Sequence, residues 1–163
     1  MPQRHGPAHE LSQLPPFVHC SREELRRVER LRTRLSVRPG TVLARQGCQC
    51  LEFGVIVEGT ACVTRDGHEL ELLEPGQYFG EIGMVLAVPN PATIVTCSAM
   101  RLDVMSRQEF RSAYSTMLSM RVHIACQIDR RIATWLGQRP CVPATLQVRA
   151  LTTAQSGDYT LAS

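Results

Sequence analysis

The sequence predicts a mainly β domain with flanking helices, its strands folded into an antiparallel sandwich or barrel. Short apolar runs recur between residues 41 and 73, and glycine turns close them. Helix-start signatures stand before and after that stretch, at Ser21 and Ser106. The composition suits one globular domain: of 163 residues, 44% are hydrophobic, 20% charged and 5% aromatic. Global disorder, a collagen-like chain and a disulfide knot are excluded.

Each element has its own signal. Ser21-Arg22-Glu23-Glu24 is a capping box, in which the hydroxyl and the carboxylate satisfy orphan amides of a first helical turn. Leu25, Val28 and Leu31 follow at helical spacing, with Leu35 past the helix end. Pro39-Gly40 makes a turn into the apolar run Thr41-Val42-Leu43-Ala44. Phe53, Val55 and Val57 alternate on one face of a strand that ends at Glu58-Gly59. Ala61-Cys62-Val63-Thr64 is the next strand, and Asp66-Gly67 turns it into a return strand over 69–73. Glu74-Pro75-Gly76 is another turn. Ser106-Arg107-Gln108-Glu109 is a second capping box, followed by Phe110, Ala113 and Tyr114. A longer amphipathic helix then starts at Met117 and ends at Leu136. Its stripe is Met120, Ile124, Ile128 and Ile132, and its polar face is Arg121, His123, Gln127, Asp129, Arg130 and Arg131. Gly137 and Pro140 stop it. The organisation expected is a flexible N-terminus over 1–13, one domain over 14–137, and a polar, mobile tail over 138–163.

Charge and cysteine content narrow the function classes. All 18 basic residues are Arg, against 15 acids, for a net +3. Residues 1–45 carry nine Arg and four acids, residues 46–105 two Arg and eight acids, and residues 106–163 seven Arg and three acids. An acidic centre between basic flanks is a poor footprint for nucleic acid, which asks for a contiguous basic face. Seven scattered Cys are an odd count and suit a reduced, cytoplasmic protein. No signal peptide is visible. Residues 82–100 are uncharged, but Pro89, Asn90 and Pro91 interrupt them, so a buried core with a tight turn is expected rather than a membrane helix.

Glu74-Pro75-Gly76-Gln77-Tyr78-Phe79-Gly80-Glu81-Ile82-Gly83-Met84, with Pro89-Asn90-Pro91-Ala92-Thr93-Ile94 beyond it, resembles the phosphate-binding cassette of the cyclic-nucleotide-binding domain family. Arg38-Pro39-Gly40-Thr41 through Gly47 and Val55-Ile56-Val57-Glu58-Gly59 resemble two further segments of that family. The resemblance runs from about Leu14 to Trp135. It implies an antiparallel β-roll, or double-stranded β-helix of jelly-roll type, with an N-terminal helix, a short cassette helix and a long C-terminal helix. It also implies a non-catalytic sensor with a small-molecule cup at Phe79, Gly80, Glu81, Ile82, Asn90, Pro91, Ala92 and Thr93. A helix starting near Glu81 would turn its first amides towards an anion, and Glu81 would accept a hydrogen bond from a sugar hydroxyl.

The sequence departs from the family at the phosphate. Asn90 stands where the family has its phosphate-binding Arg, and Pro91 has no amide hydrogen to donate. Hydrogen bonds to a charged group contribute about 1.5–3 kcal/mol each. Losing two would weaken binding by roughly two to four powers of ten. Weak or lost binding of cAMP and cGMP is therefore expected, and no cofactor is assigned. Arg130 and Arg131 are the candidate partners of Glu81. Trp135 lies where a base-capping side chain comes from, although ordinary core or dimer packing also accounts for it.

Other constellations are weak. Cys48-x-Cys50 lacks a second pair at metal spacing and His68 sits beside a turn, so no metal site is expected. No nucleophile elbow, zinc-protease helix or phosphate loop is present, so no catalytic residue is assigned. Two alternatives stand beside a sensor with a degenerate cup. One is a stand-alone relative of transcription regulators that acts through a partner. The 28 residues after Trp135 are too few for a DNA-binding domain of roughly 60, so direct DNA contact is not expected. The other is a homodimeric interaction module pairing through the last helix. An effector protein is implied but not identified, and no membrane partner is expected.

Overall fold

The computed structural model describes residues 10–135. A 3-10 turn, Pro15–Phe17, leads into α1, Arg22–Leu31. Six strands follow: β1 Thr33–Val37, β2 Val42–Ala44, β3 Glu52–Glu58, β4 Ala61–Arg65, β5 His68–Leu73 and β6 Tyr78–Phe79. The short helix α2, Glu81–Val85, precedes β7, Thr93–Thr96, and β8, Met100–Ser106. Two helices, α3 Arg107–Thr116 and α4 Leu118–Trp135, complete the order. The chain divides into two compact units between Arg121 and Val122, inside α4.

The strands form two four-stranded antiparallel sheets, in the orders β1-β8-β3-β6 and β2-β7-β4-β5. This is the mainly β roll with flanking helices that the sequence predicts. Both capping boxes form. Ser21 Oγ accepts from the Glu24 amide at 3.2 Å while Glu24 accepts from the Ser21 amide at 2.7 Å, and Ser106 and Glu109 repeat the arrangement. Each cap stabilises its helix by about 1 kcal/mol. The Asp-Gly hairpin turn also forms, with φ of 51° at Asp66 and 81° at Gly67.

Three expectations need correction. Val57 does not share a buried face with Phe53 and Val55. A register shift between Ile56 and Glu58 turns it to an intermediate position, and Ile56 is fully buried instead. The cause is that β3 is covered on both sides. The Phe53 ring packs at 4.8 Å against Phe110 of α3, tilted by 38°, while Gly54 carries the Phe79 ring on the other face. Second, Asp129 and Arg131 do not lie on an exposed polar face of α4, because both are buried; Arg130 is exposed. Third, packed structure reaches back to Glu10. Leu11 is fully buried and Glu10 pairs with Arg34 at 3.2 Å, so residues 10–13 do not behave as a loose N-terminus. Leu136, the stop at Gly137 and Pro140, and the tail expected over 138–163 lie outside the described residues.

Charge ties the helical layer to the sheet. Asp103 of β8 is 4% exposed and accepts from both Arg32 Nη1 and Arg34 Nε. Arg32 also holds Glu29 of α1 at 2.7 Å. The helix end, the edge strand β1 and the central strand β8 therefore share one buried ion network.

Candidate functional site

The cassette is built on β6 and α2. Tyr78 and Phe79 pair with Val55 and Gly54 of β3, which fixes the strand end. Gly80 then reverses the chain at φ 88°. A Cβ there would fall on the Glu52 carbonyl, so only glycine brings α2 this close to β3. Gly80 O accepts from the Met84 amide at 3.1 Å, closing the first turn of the helix. Glu81 is 1% exposed, and Ile82 and Met84 are buried beside it.

Cys50 wedges between this helix and α3. Its Sγ donates to Gly80 O at 3.3 Å, and a Cβ at Gly83 would stand 2.6 Å from Cys50 Cβ. The Cys50 carbonyl accepts from Arg107 Nη2 at 2.9 Å and from Nε at 3.2 Å. Burial pushes the Cys50 thiol up from 9.0 to about 11, only partly opposed by the charge of Arg107. The sequence carried no signal for this role. Cys48-x-Cys50 reads as a failed metal motif, whereas the structure uses one thiol as a packing wedge and leaves the other exposed.

The second half of the cassette is pinned to the loop after β2. The Asn90 amide donates to Cys48 O at 2.8 Å, and Asn90 O accepts from the Gly47 amide at 2.9 Å. Its Nδ2 reaches Gln49 O only at 3.5 Å. Asn90 is 8% exposed, so its neutral amide side chain is buried. Pro91 is half-buried, Ala92 is 3% exposed, and Thr93 opens β7 with its Oγ1 accepting from the Gln46 amide at 3.0 Å. The structure thus brings Phe79–Ile82 and Asn90–Thr93 into the same unit. Phe79 lies against Gly54, and the Thr93 hydroxyl is taken by the backbone. Arg130, Arg131 and Trp135 belong to the second unit, where Trp135 is half-buried.

Asn90 also lines a groove of about 410 Å3, together with residues 42–45 and 48–52. None of Phe79–Ile82, Ala92 or Thr93 lines it. Among the described residues no group of three or more His, Cys, Asp or Glu could hold a metal ion, and no helix is long and apolar enough to cross a membrane.

Two antiparallel sheets, a glycine-entered short helix and a closing Ala-Thr strand define a ligand-cup domain of the β-roll class. The cyclic nucleotide-binding domain model matches residues 34–117, and the chain belongs to that family. Acetyltransferase Pat of Mycolicibacterium smegmatis is 32% identical over 148 residues, 87% of this chain and 42% of its own. The cAMP-dependent protein kinase regulatory subunit of Dictyostelium discoideum is 33% identical over 79 residues, 44% of this chain and 24% of its own. The chain thus spans less than half the length of these curated relatives. Among solved structures, cAMP bound PfPKA-R (141-441) superposes with a TM-score of 0.69 at 18% identity, over 81% of this chain and 46% of that one, which supports the fold. A mutant cAMP-binding acyltransferase from Mycobacterium smegmatis superposes with a TM-score of 0.62 at 28% identity, over 78% of this chain and 41% of that one.

Proposed function

We propose that this chain is a non-catalytic regulatory module whose cup has weak or no affinity for cAMP and cGMP. The supporting observation is Asn90, a buried neutral amide whose backbone is committed to Gly47 and Cys48. Pro91 beside it removes a further donor. Phe79, Gly80, Glu81, Ile82, Ala92 and Thr93 remain as the walls of the cup. Calorimetry with cAMP and cGMP tests the reading. No binding at micromolar concentration is expected, and micromolar or tighter binding of either would overturn it. The double variant Asn90→Arg, Pro91→Ala should gain roughly two to four powers of ten in affinity. No gain would mean that the cup is filled or collapsed.

The match to acetyltransferase Pat over 87% of the chain favours an acetyltransferase as the activity such a module controls. The chain alone is expected not to release coenzyme A from acetyl-coenzyme A. Release above background would make it an enzyme in its own right.

A further inference from the structure

The groove beside the cassette shares Asn90 alone with the residues of the cup, and its construction is that of a strand acceptor. One wall is β2, an edge strand of the second sheet with β7 on its inner side. The other wall is the irregular segment 48–51 with Glu52 at the start of β3. We propose that this groove takes a short extended peptide segment of a partner protein, added as a strand along the free edge of β2.

The backbone supplies the first argument. Thr41 spends both main-chain groups on Thr96. Its amide donates to Thr96 Oγ1 at 2.8 Å, and its carbonyl accepts from the Thr96 amide at 2.9 Å. Alternation in an antiparallel ladder then turns the N–H and C=O of Val42 to the open side. Unpaired strand groups facing a concave surface are what strand addition requires.

Side chains supply the second. Val42 is 43% exposed and Leu51 is 62% exposed, and both line the groove, so an apolar side chain of the peptide has walls to cover. Charge supplies the third. Arg45 and Glu52 also line the groove, and neither forms a salt bridge among the described residues. The matching segment carries an apolar residue between an acidic and a basic one. The free edge is three residues long, about 10 Å, and a register shift between Val42 and Ala44 shortens it further. The interface is therefore small, and its affinity belongs at the weak, transient end.

Two peptides test this, Ac-Glu-Thr-Val-Thr-Arg-amide and Ac-Arg-Thr-Val-Thr-Glu-amide, titrated into 15N-labelled chain up to about 5 mM. One of them should shift the amides of residues 42–45 and 48–52 in a saturable way and slow exchange of the Val42 amide. N-methylation of its central Val should weaken binding by about tenfold or more, since one ladder hydrogen bond is lost. Arg45→Glu should move the preference to a third peptide with Arg at both ends, Ac-Arg-Thr-Val-Thr-Arg-amide, and Leu51→Ser should weaken binding of the peptide the unaltered chain prefers. The dispersion of each variant's spectrum reports that it has folded. The proposal fails if neither peptide shifts these amides, if shifts fall elsewhere, or if the N-methylated peptide binds equally well. It also fails if the same amides shift with protein concentration alone, which would make a second copy the occupant. Calorimetry with cyclic nucleotides is independent of every one of these outcomes.

Discussion

Ala87 occupies the left-handed region at φ 56° in the loop between α2 and β7, and it is exposed. That conformation costs an L-residue with a Cβ roughly 1–2 kcal/mol. Ala87→Gly should relieve it and raise stability by about 1 kcal/mol, less what the looser unfolded chain takes back, read as a higher melting temperature. Gly80→Ala should act in the opposite sense and more strongly, because the added Cβ meets the Glu52 carbonyl at a positive φ. Cys50 gives a pH signature. Its thiol keeps its proton to about 11 in the folded chain, while an unfolded thiol loses it near 9.0. The folded state therefore binds more protons between those values, and stability should be flat below about 9 and fall as pH rises towards 11. Urea midpoints measured across that range check the sign. Iodoacetamide at pH 8 should label the exposed Cys48 and Cys97 well before Cys50.

At the scale of elements, the legible parts were those written by local chemistry. The two capping boxes, the Asp-Gly hairpin and the glycine entry to the cassette helix each depend on residues a few positions apart. Strands β1, β7 and β8 carried no such signal and were not anticipated. In β8, Met100, Leu102 and Val104 alternate with Arg101 and Asp103, a pattern that assigns Asp103 to a solvent face. Asp103 is buried because Arg32 and Arg34 reach it from 71 and 69 residues away, and no local pattern announces that pairing. Asp103→Ala would leave both guanidinium groups facing an empty position beneath the helical layer. The expected loss is about 3–5 kcal/mol in urea unfolding, the cost of breaking a buried pair from one side. Arg34→Ala should cost less, since that side chain is 38% exposed.

For the whole molecule, the open question is what meets the exposed apolar residues of α4. Leu118 and Val122 are 68% and 53% exposed and stand one turn apart, on the helix face away from Met120, Ile124 and Ile128, which are fully buried. We propose that this strip pairs with a second copy, as expected of a helix that starts at Met117. Light scattering at two concentrations should give a mass that rises towards the dimer, and Val122→Arg should return it to the monomer. A strictly monomeric mass at both concentrations would remove the dimer.

The sequence by itself determined the class of fold and the place of the short helix that opens the cassette. Both are written in turns, caps and glycines whose geometry is set within a few residues. It also determined that residue 90 carries an amide and residue 91 no amide hydrogen, since that is a matter of residue type alone. Tertiary structure decided that both sides of β3 are core, that Asp103, Asp129 and Arg131 are interior, and that Cys50 is a packing wedge. It also decided that, among the described residues, β2 is an edge strand beside the cassette. These features depend on what distant segments cover. Burial on both faces erases the alternation by which a strand is recognised, and long-range ion pairs make charged residues into core.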